Sequence, residues 1–293
     1  NKFPPFTVSI FKSVNNGLNF NLFFTFSPSI ISQHYPESNQ IDLEVISRGD
    51  SSYLYGVIGL WLDSCKGMYF KIRSDGDLFS SSIFTSANRI GSAQGNGSVS
   101  PRITSDNAMF TAAPYVYIMY TLDSLRGTGN KWMKTKVIRI NNPFAPIPTL
   151  VNINPPGSFN AAYFYNAPNQ PDSSFMNTDI CCIGTGDSSL VVTTTIFRGA
   201  TTFSGTNFYM TTSASFGSTI SSSNSVNDTK LLHIPRISSP GYQTRSVMMG
   251  AMRLYGGGDW DPYYYKSNSI NRNYGGFTTS GYVQTSIDTT VGF

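Results

Sequence analysis

Charge is scarce in this chain. Asp, Glu, Lys and Arg make up only 12% of its 293 residues, and 20 basic side chains stand against 16 acidic ones. No window gathers a dense Lys/Arg run, which excludes a basic arm that condenses nucleic acid by neutralising phosphates. Histidine occurs twice, at His34 and His233. That is too few for the histidine-rich facial triad of a metal-dependent oxygenase. A serine hydrolase would have to rely on His233, and no G-x-S-x-G elbow accompanies it. Its place between Leu232 and Ile234 reads instead as a strand position. The three cysteines, Cys65, Cys181 and Cys182, are odd in number and two are adjacent, so a disulfide framework is not expected and a reducing compartment is. No stretch approaches the ~20 apolar residues that cross a bilayer as a helix. The start, Asn1-Lys2-Phe3-Pro4-Pro5, lacks the plan of a signal peptide. It also lacks an initiator methionine, so proteolytic release from a polyprotein, or trimming, is expected.

What is present points to strands and turns. Aromatics reach 14%, with 26 glycines and 16 prolines; aromatics favour pleated surfaces, and Gly and Pro punctuate them. Apolar residues at 40% and a net charge of only +4 allow collapse. The polar surface is built from hydroxyls and amides, which suits extensive contact with protein. The length suits one large all-β domain or two small ones.

The pattern along the chain begins with a strand over 6–11, a turn at Asn15-Asn16-Gly17 and a second strand. In the latter Leu18, Phe20, Leu22, Phe24 and Phe26 alternate with Asn19, Asn21, Phe23, Thr25 and Ser27, so a hairpin is expected. Leu54, Val57, Ile58, Trp61 and Leu62 fall at i, i+3, i+4, i+7 and i+8, which predicts a core-facing helix over 52–64. Ser51 or Ser52 would cap it and Gly67 would end it. From Met68 the period changes to two, which predicts a half-buried strand with Met68, Phe70 and Ile72 on one face and Tyr69, Lys71 and Arg73 on the other. Residues 75–114 read as loop with one edge strand. Strands are predicted at 115–121, 136–140, 190–197, 207–212, 231–237, 246–255 and 281–291. Seven prolines within 141–171 exclude a helix or central strand there.

Candidate chemical sites are few, and each has a plainer reading. Adjacent Cys181 and Cys182 form neither a Cys-x-x-Cys redox motif nor a zinc pair and read as small packing residues. Gly256-Gly257-Gly258-Asp259-Trp260-Asp261 could bring two carboxylates to a cation, yet a turn between strands explains it. Gly184-x-Gly186 lacks the lysine and helix of a phosphate loop. The sequons at Asn96 and Asn227 are discounted in a chain this rich in Asn, Ser and Thr. Tyr263, Tyr264 and Tyr265 with Trp260 and Arg272 could stack on sugars or bases, or pack at a subunit contact. No catalytic, cofactor-binding or metal-binding residue is assigned, and no enzyme activity is expected.

Five segments resemble the capsid proteins of picorna-like non-enveloped positive-strand RNA viruses, a group that includes dicistrovirus-, marnavirus- and iflavirus-like members. The stretch SYLYGVIGLWLDSCKGMYFKIRSDGDLF, with Trp61, Lys66, Gly67 and Lys71, resembles their helix running into strand D, although the usual pair is Arg-Gly. FTVSIFKSVNNGLNFNLFFTFSPS resembles strands B and C. LLHIPRI, SVMMGAMRLY and GYVQTSIDTTV resemble strands G, H and I, including the Ile234-Pro235 step and Asp288. Some members carry Asp-Asp-Phe at that last position, tied to maturation cleavage. Here Ile287-Asp288-Thr289-Thr290 stands there, so no such role passes to Asp288.

The resemblance implies a single domain over 1–293: an eight-stranded antiparallel jelly-roll β-sandwich with one or two short helices and long loops at about 75–114 and 141–189. It implies a structural subunit of an icosahedral capsid, found in the virion and assembled in the host cytoplasm. Its partners would be two related jelly-roll proteins and copies of itself, with weak non-specific contact to genomic RNA and outer loops for an unknown host receptor. A carbohydrate-binding jelly roll, lectin-like or a fibre head, is the alternative from another class.

Overall fold

Runs of β-branched and aromatic side chains settle the local structure. A computed structural model describes residues 7–27, 35–61, 66–85, 101–106, 115–126, 130–152, 163–165, 178–183, 190–198, 204–212, 219–220, 226–228, 232–239, 247–254, 260–267 and 279–282. Within them every regular element is a strand and every ladder is antiparallel.

Strands β1 (Val8–Lys12) and β2 (Asn21–Phe26) form the expected hairpin. Its turn places Asn16 at φ 57° and Gly17 at φ 85°, the left-handed region that Asn and Gly tolerate. Ser13 Oγ accepts from the Gly17 amide at 2.8 Å, and Asn15 Oδ1 from the Asn19 amide at 2.9 Å. The second sheet is β3 (Tyr35–Arg48), β4 (Ser51–Trp61), β5 (Lys66–Arg73) and β6 (Phe79–Thr85), paired in chain order. The third runs β7 (Arg102–Ser105), β8 (Val116–Arg126), β9 (Asn130–Asn141) and β10 (Thr149–Asn152), with β11 (Tyr163–Tyr165) also on β9.

The fourth contains β12 (Thr178–Ile183), β13 (Leu190–Arg198), β14 (Ser204–Thr212) and β15 (Thr219–Ile220), with β16 (Val226–Asp228) also on β14. The fifth is β17 (Leu232–Ser238), β18 (Val247–Leu254), β19 (Trp260–Ser267) and β20 (Thr279–Tyr282). Pro235 has no amide to donate; β17 is accordingly an edge strand, and its register shifts between His233 and Arg236.

The segment read as a helix over 52–64 is strand β4 through Trp61, and residues 62–65 lie outside the described residues. The correction has a packing cause. Tyr53, Tyr55 and Val57 enter one apolar cluster while Leu54 and Ile58 enter another, so both faces of the strand are apolar. A strand buried on both sides shows no period of two, and its continuous apolar run imitates helical spacing. Gly67, expected as a helix stop, pairs with Gly59 inside the sheet. Strand β5 keeps the predicted alternation but is buried on both faces rather than half-buried: Tyr69 is only 5% exposed and Lys71 not at all. Among the described residues of 75–114 there are two strands, β6 and β7, where one was expected.

The sheets stack in layers. The hairpin covers one face of the second sheet through Ile10, Phe24 and Phe26 on Ile58, Met68, Phe70 and Ile72. The other face, with Ile46, Tyr53, Tyr55, Val57 and Tyr69, meets Ile103, Val116, Ile118, Ile138 and Ile140 of the third sheet. The far side of that sheet packs Tyr117, Met119 and Val137 on Ile180 and Cys182. Each fully buried large apolar side chain contributes about 1.5–3 kcal/mol. Among the described residues the fold is all-β, with twenty strands in five antiparallel hydrogen-bonded sheets, consistent with a β-sandwich. Their ladders join strands near in sequence.

Candidate functional site

Edge strands leave backbone amides and carbonyls unpaired, and a protein that buries an edge must supply partners for them. Here β3, β7, β12 and β17, each an edge of its own sheet, line one cleft of about 600 Å³. They meet through side chains in addition to packing. Alternation on β3 turns Asp42 and Glu44 toward β7. Asp42 Oδ2 accepts from the Ile103 amide at 3.0 Å, and Glu44 Oε1 accepts from the Ser105 amide at 3.1 Å and from the Ser105 hydroxyl. On β12, Asp179 Oδ2 accepts from the Ile237 amide of β17 at 2.7 Å, while its Oδ1 lies 3.9 Å from Arg102 Nε.

Burial sets the electrostatics of the cleft. It pushes the Asp179 carboxyl up to about 6, against the pull of the Ile237 and Ile180 amides and of Arg236 and Arg102. Burial likewise raises Glu44, with the Ser105 hydrogen bonds opposing it. Arg102 is lowered, by burial first and then by the like charge of Arg236. The thiol of Cys181 is pushed up by burial and by Asp179, which disfavours the reactive thiolate.

These carboxylates tie edge strands of different sheets to one another. Glu44 and Ser105 form an acceptor–donor pair, and Ser105 is buried. No cluster of His, Cys, Asp and Glu able to hold a metal occurs among the described residues.

The residues singled out from sequence are scattered. Cys182 packs with Tyr117, Met119 and Val137, as a small apolar filler would. His233 lies on β17 opposite Met252. Tyr263 and Tyr265 share one face of β19 with ring centroids 5.1 Å apart, and strand alternation puts Tyr264 on the other, so the three rings do not make one platform. Asp261 pairs with Arg253 on β18. Asn227 lies on β16. His34, Cys65, Asn96, Gly184, Gly186, Asp259, Arg272 and Asp288 lie outside the described residues. The cleft itself was missed, although Ile41-Asp42-Leu43-Glu44-Val45 alternates cleanly and signals a strand with two carboxylates on one face.

Two apolar surfaces are exposed, and the second lies on a strand that also lines the cleft. The hairpin tip exposes Val14, Leu18 and Phe20, with Leu18 81% exposed. On β3, Ile41, Leu43 and Val45 face the side that the hairpin covers over the neighbouring strands, yet they lie 48%, 49% and 61% exposed. Compared with protein-family models and with curated proteins, the chain finds no match.

Proposed function

We propose that this chain is a structural subunit of an icosahedral capsid of a non-enveloped positive-strand RNA virus, acting by assembly rather than by chemistry. The observation that carries the reading is the exposed apolar surface: aliphatic and aromatic side chains at the tip of the first hairpin and along β3 of a protein otherwise poor in charge. A shell subunit leaves such surface for its neighbours to cover. The antiparallel layers give a rigid body, and the ionisable groups of the cleft are engaged in holding sheet edges. The sequence resemblance of 6–29 and of the closing strands supports the same reading. The helix-to-strand junction no longer does. The jelly-roll strand order is not needed by this proposal, since tiling requires only rigid flanks that present strands and loops to neighbours. Its partners would be related subunits and further copies of itself, with RNA contacted weakly and without sequence preference.

Electron microscopy of the chain produced together with its neighbouring polyprotein products tests this directly. Closed particles containing RNA and related subunits are the expected result. A homogeneous monomer under those conditions, with no particles, would remove the capsid role, and glycan binding by that monomer would move the assignment to a carbohydrate-binding module.

A further inference from the structure

We propose that the hairpin tip of one copy docks on the apolar lane of β3 in a second copy, making a head-to-side contact between unlike surfaces. The inference rests on the shell-building role above and names one of its contacts.

Both halves are laid out in the structure. The ladder between β1 and β2 ends at the pair Lys12 and Asn21. Lys12 Nζ donates to the Ser74 carbonyl at 2.9 Å, and Phe23 lies beside Gly76, which fixes the hairpin on the turn between β5 and β6. Residues 13–20 project past that anchor. Their turn is held by its own Ser13 and Asn15 hydrogen bonds, so the tip is presented in one shape. Leu18, Phe20 and Leu22 follow at period two and are 81%, 63% and 59% exposed.

The lane matches in chemistry. Ile41, Leu43 and Val45 follow at period two on β3, a repeat of about 6.6 Å, twice the strand rise. On this face the hairpin rings Phe24 and Phe26 already pack on Phe79 and Phe70, at 4.8–5.1 Å between centroids. The lane therefore continues an apolar face whose existing cover is an aromatic β-ribbon. Another copy of the same ribbon is the occupant that this chemistry fits. Neither row carries a charged side chain, so a second copy brings no charge into the contact.

Because tip and lane are different surfaces, the contact is heterologous and propagates until rotation closes a ring. Three side chains on each side bury less than the ~1,000 Å² of a specific stable interface. One contact is therefore transient, and it persists when repeated around a ring.

Analytical ultracentrifugation of the purified chain and two double variants tests the proposal. The tip variant is Leu18→Lys with Phe20→Lys; the lane variant is Leu43→Lys with Val45→Lys, with Leu43→Thr and Val45→Thr as a strand-compatible substitute should the lysines impair folding. Thermal melts check that each variant is folded. The wild type is expected to associate with rising concentration, and each variant to associate about tenfold or more weakly. An equimolar mixture of the two variants retains one intact tip facing one intact lane, so it forms dimers and nothing larger. A monomeric wild type, undiminished association in either folded variant, or a mixture that stays monomeric would overturn the contact. Particles that assemble with partner subunits from both variants would remove this contact and leave the capsid reading intact. Failure of the wild type to form particles with those partners would remove the capsid reading, whatever the ultracentrifuge shows.

Discussion

Lys71 shows how one residue joins layers at a measurable penalty. Strand alternation on β5 carries it into the interface, where it is fully buried, with Nζ donating to the Ala145 carbonyl at 2.6 Å and lying 4.1 Å from the centre of the Tyr53 ring. The ring face and the carbonyl favour a cation, but desolvation outweighs them and lowers Lys71 to about 8. In the unfolded chain the amine holds its proton to about 10.5. Between those values the unfolded state binds more protons, so stability rises with pH across the window, and below about 8 the full penalty applies. We expect the difference in urea midpoint between the wild type and Lys71→Met to shift in favour of the wild type from pH 8 to 9.5, since the titrating thiol and tyrosines are common to both and cancel. A difference constant over that range would show that the Lys71 penalty is not lifted there.

At the scale of the element, Gly56 explains how β4 packs on β5. A Cβ built at Gly56 would lie 2.1 Å from Cζ of Phe70. That ring is 1% exposed and packs at a tilt against Phe26, 5.1 Å between centroids, so it has little room to withdraw. Replacing Gly by Ala gains about 0.4–1 kcal/mol through the unfolded chain, whereas overpacking costs about 1–3 kcal/mol. The clash wins, and Gly56→Ala should lower the urea midpoint; adding Phe70→Leu should recover part of the loss. The same glycine bears on what the sequence revealed. Gly56 and Gly59 each weaken a helix by about 1 kcal/mol relative to Ala, and Tyr53, Tyr55, Val57 and Ile58 prefer strands. Those signals were legible, but the i, i+3, i+4 spacing of a doubly buried strand concealed them. The hairpin was read correctly because Asn16 and Gly17 encode their turn locally. The cleft was not, because the convergence of β3, β7, β12 and β17 depends on contacts such as Ile103 with Asp42, 61 residues apart in sequence.

At the scale of the molecule, Asp179 ties three sheets together. It sits on β12, bonds the Ile237 amide of β17 and faces Arg102 of β7. Its folded pKa of about 6 exceeds the ordinary value of 3.8. The folded state therefore binds the extra proton, and this contribution to stability is complete below about 3.8 and lost as pH rises through about 6. Asp179→Asn keeps an acceptor for Ile237 and removes the titration. Its melting temperature should lose the Asp179 part of the decline over pH 4–6. Asp179→Ala should be less stable than Asp179→Asn by about 1–3 kcal/mol, since it leaves a buried amide without its acceptor. Equal stability of the two variants would show that the Ile237 bond does not hold the sheets.

Between β9 and β10 the chain leaves the core through a turn whose roots are bolted from the neighbouring sheet. Tyr55 Oη donates to the Pro143 carbonyl at 2.6 Å, Lys71 takes that of Ala145, and Asn142 turns the backbone at φ 50°. Just beyond, Ile147 is 87% exposed. Such a loop separates heredity at its base from freedom at its crest: substitutions that accumulate around Ile147 are mechanically insulated from the strand register beneath. The protein can thus change its outward face over generations without renegotiating its interior.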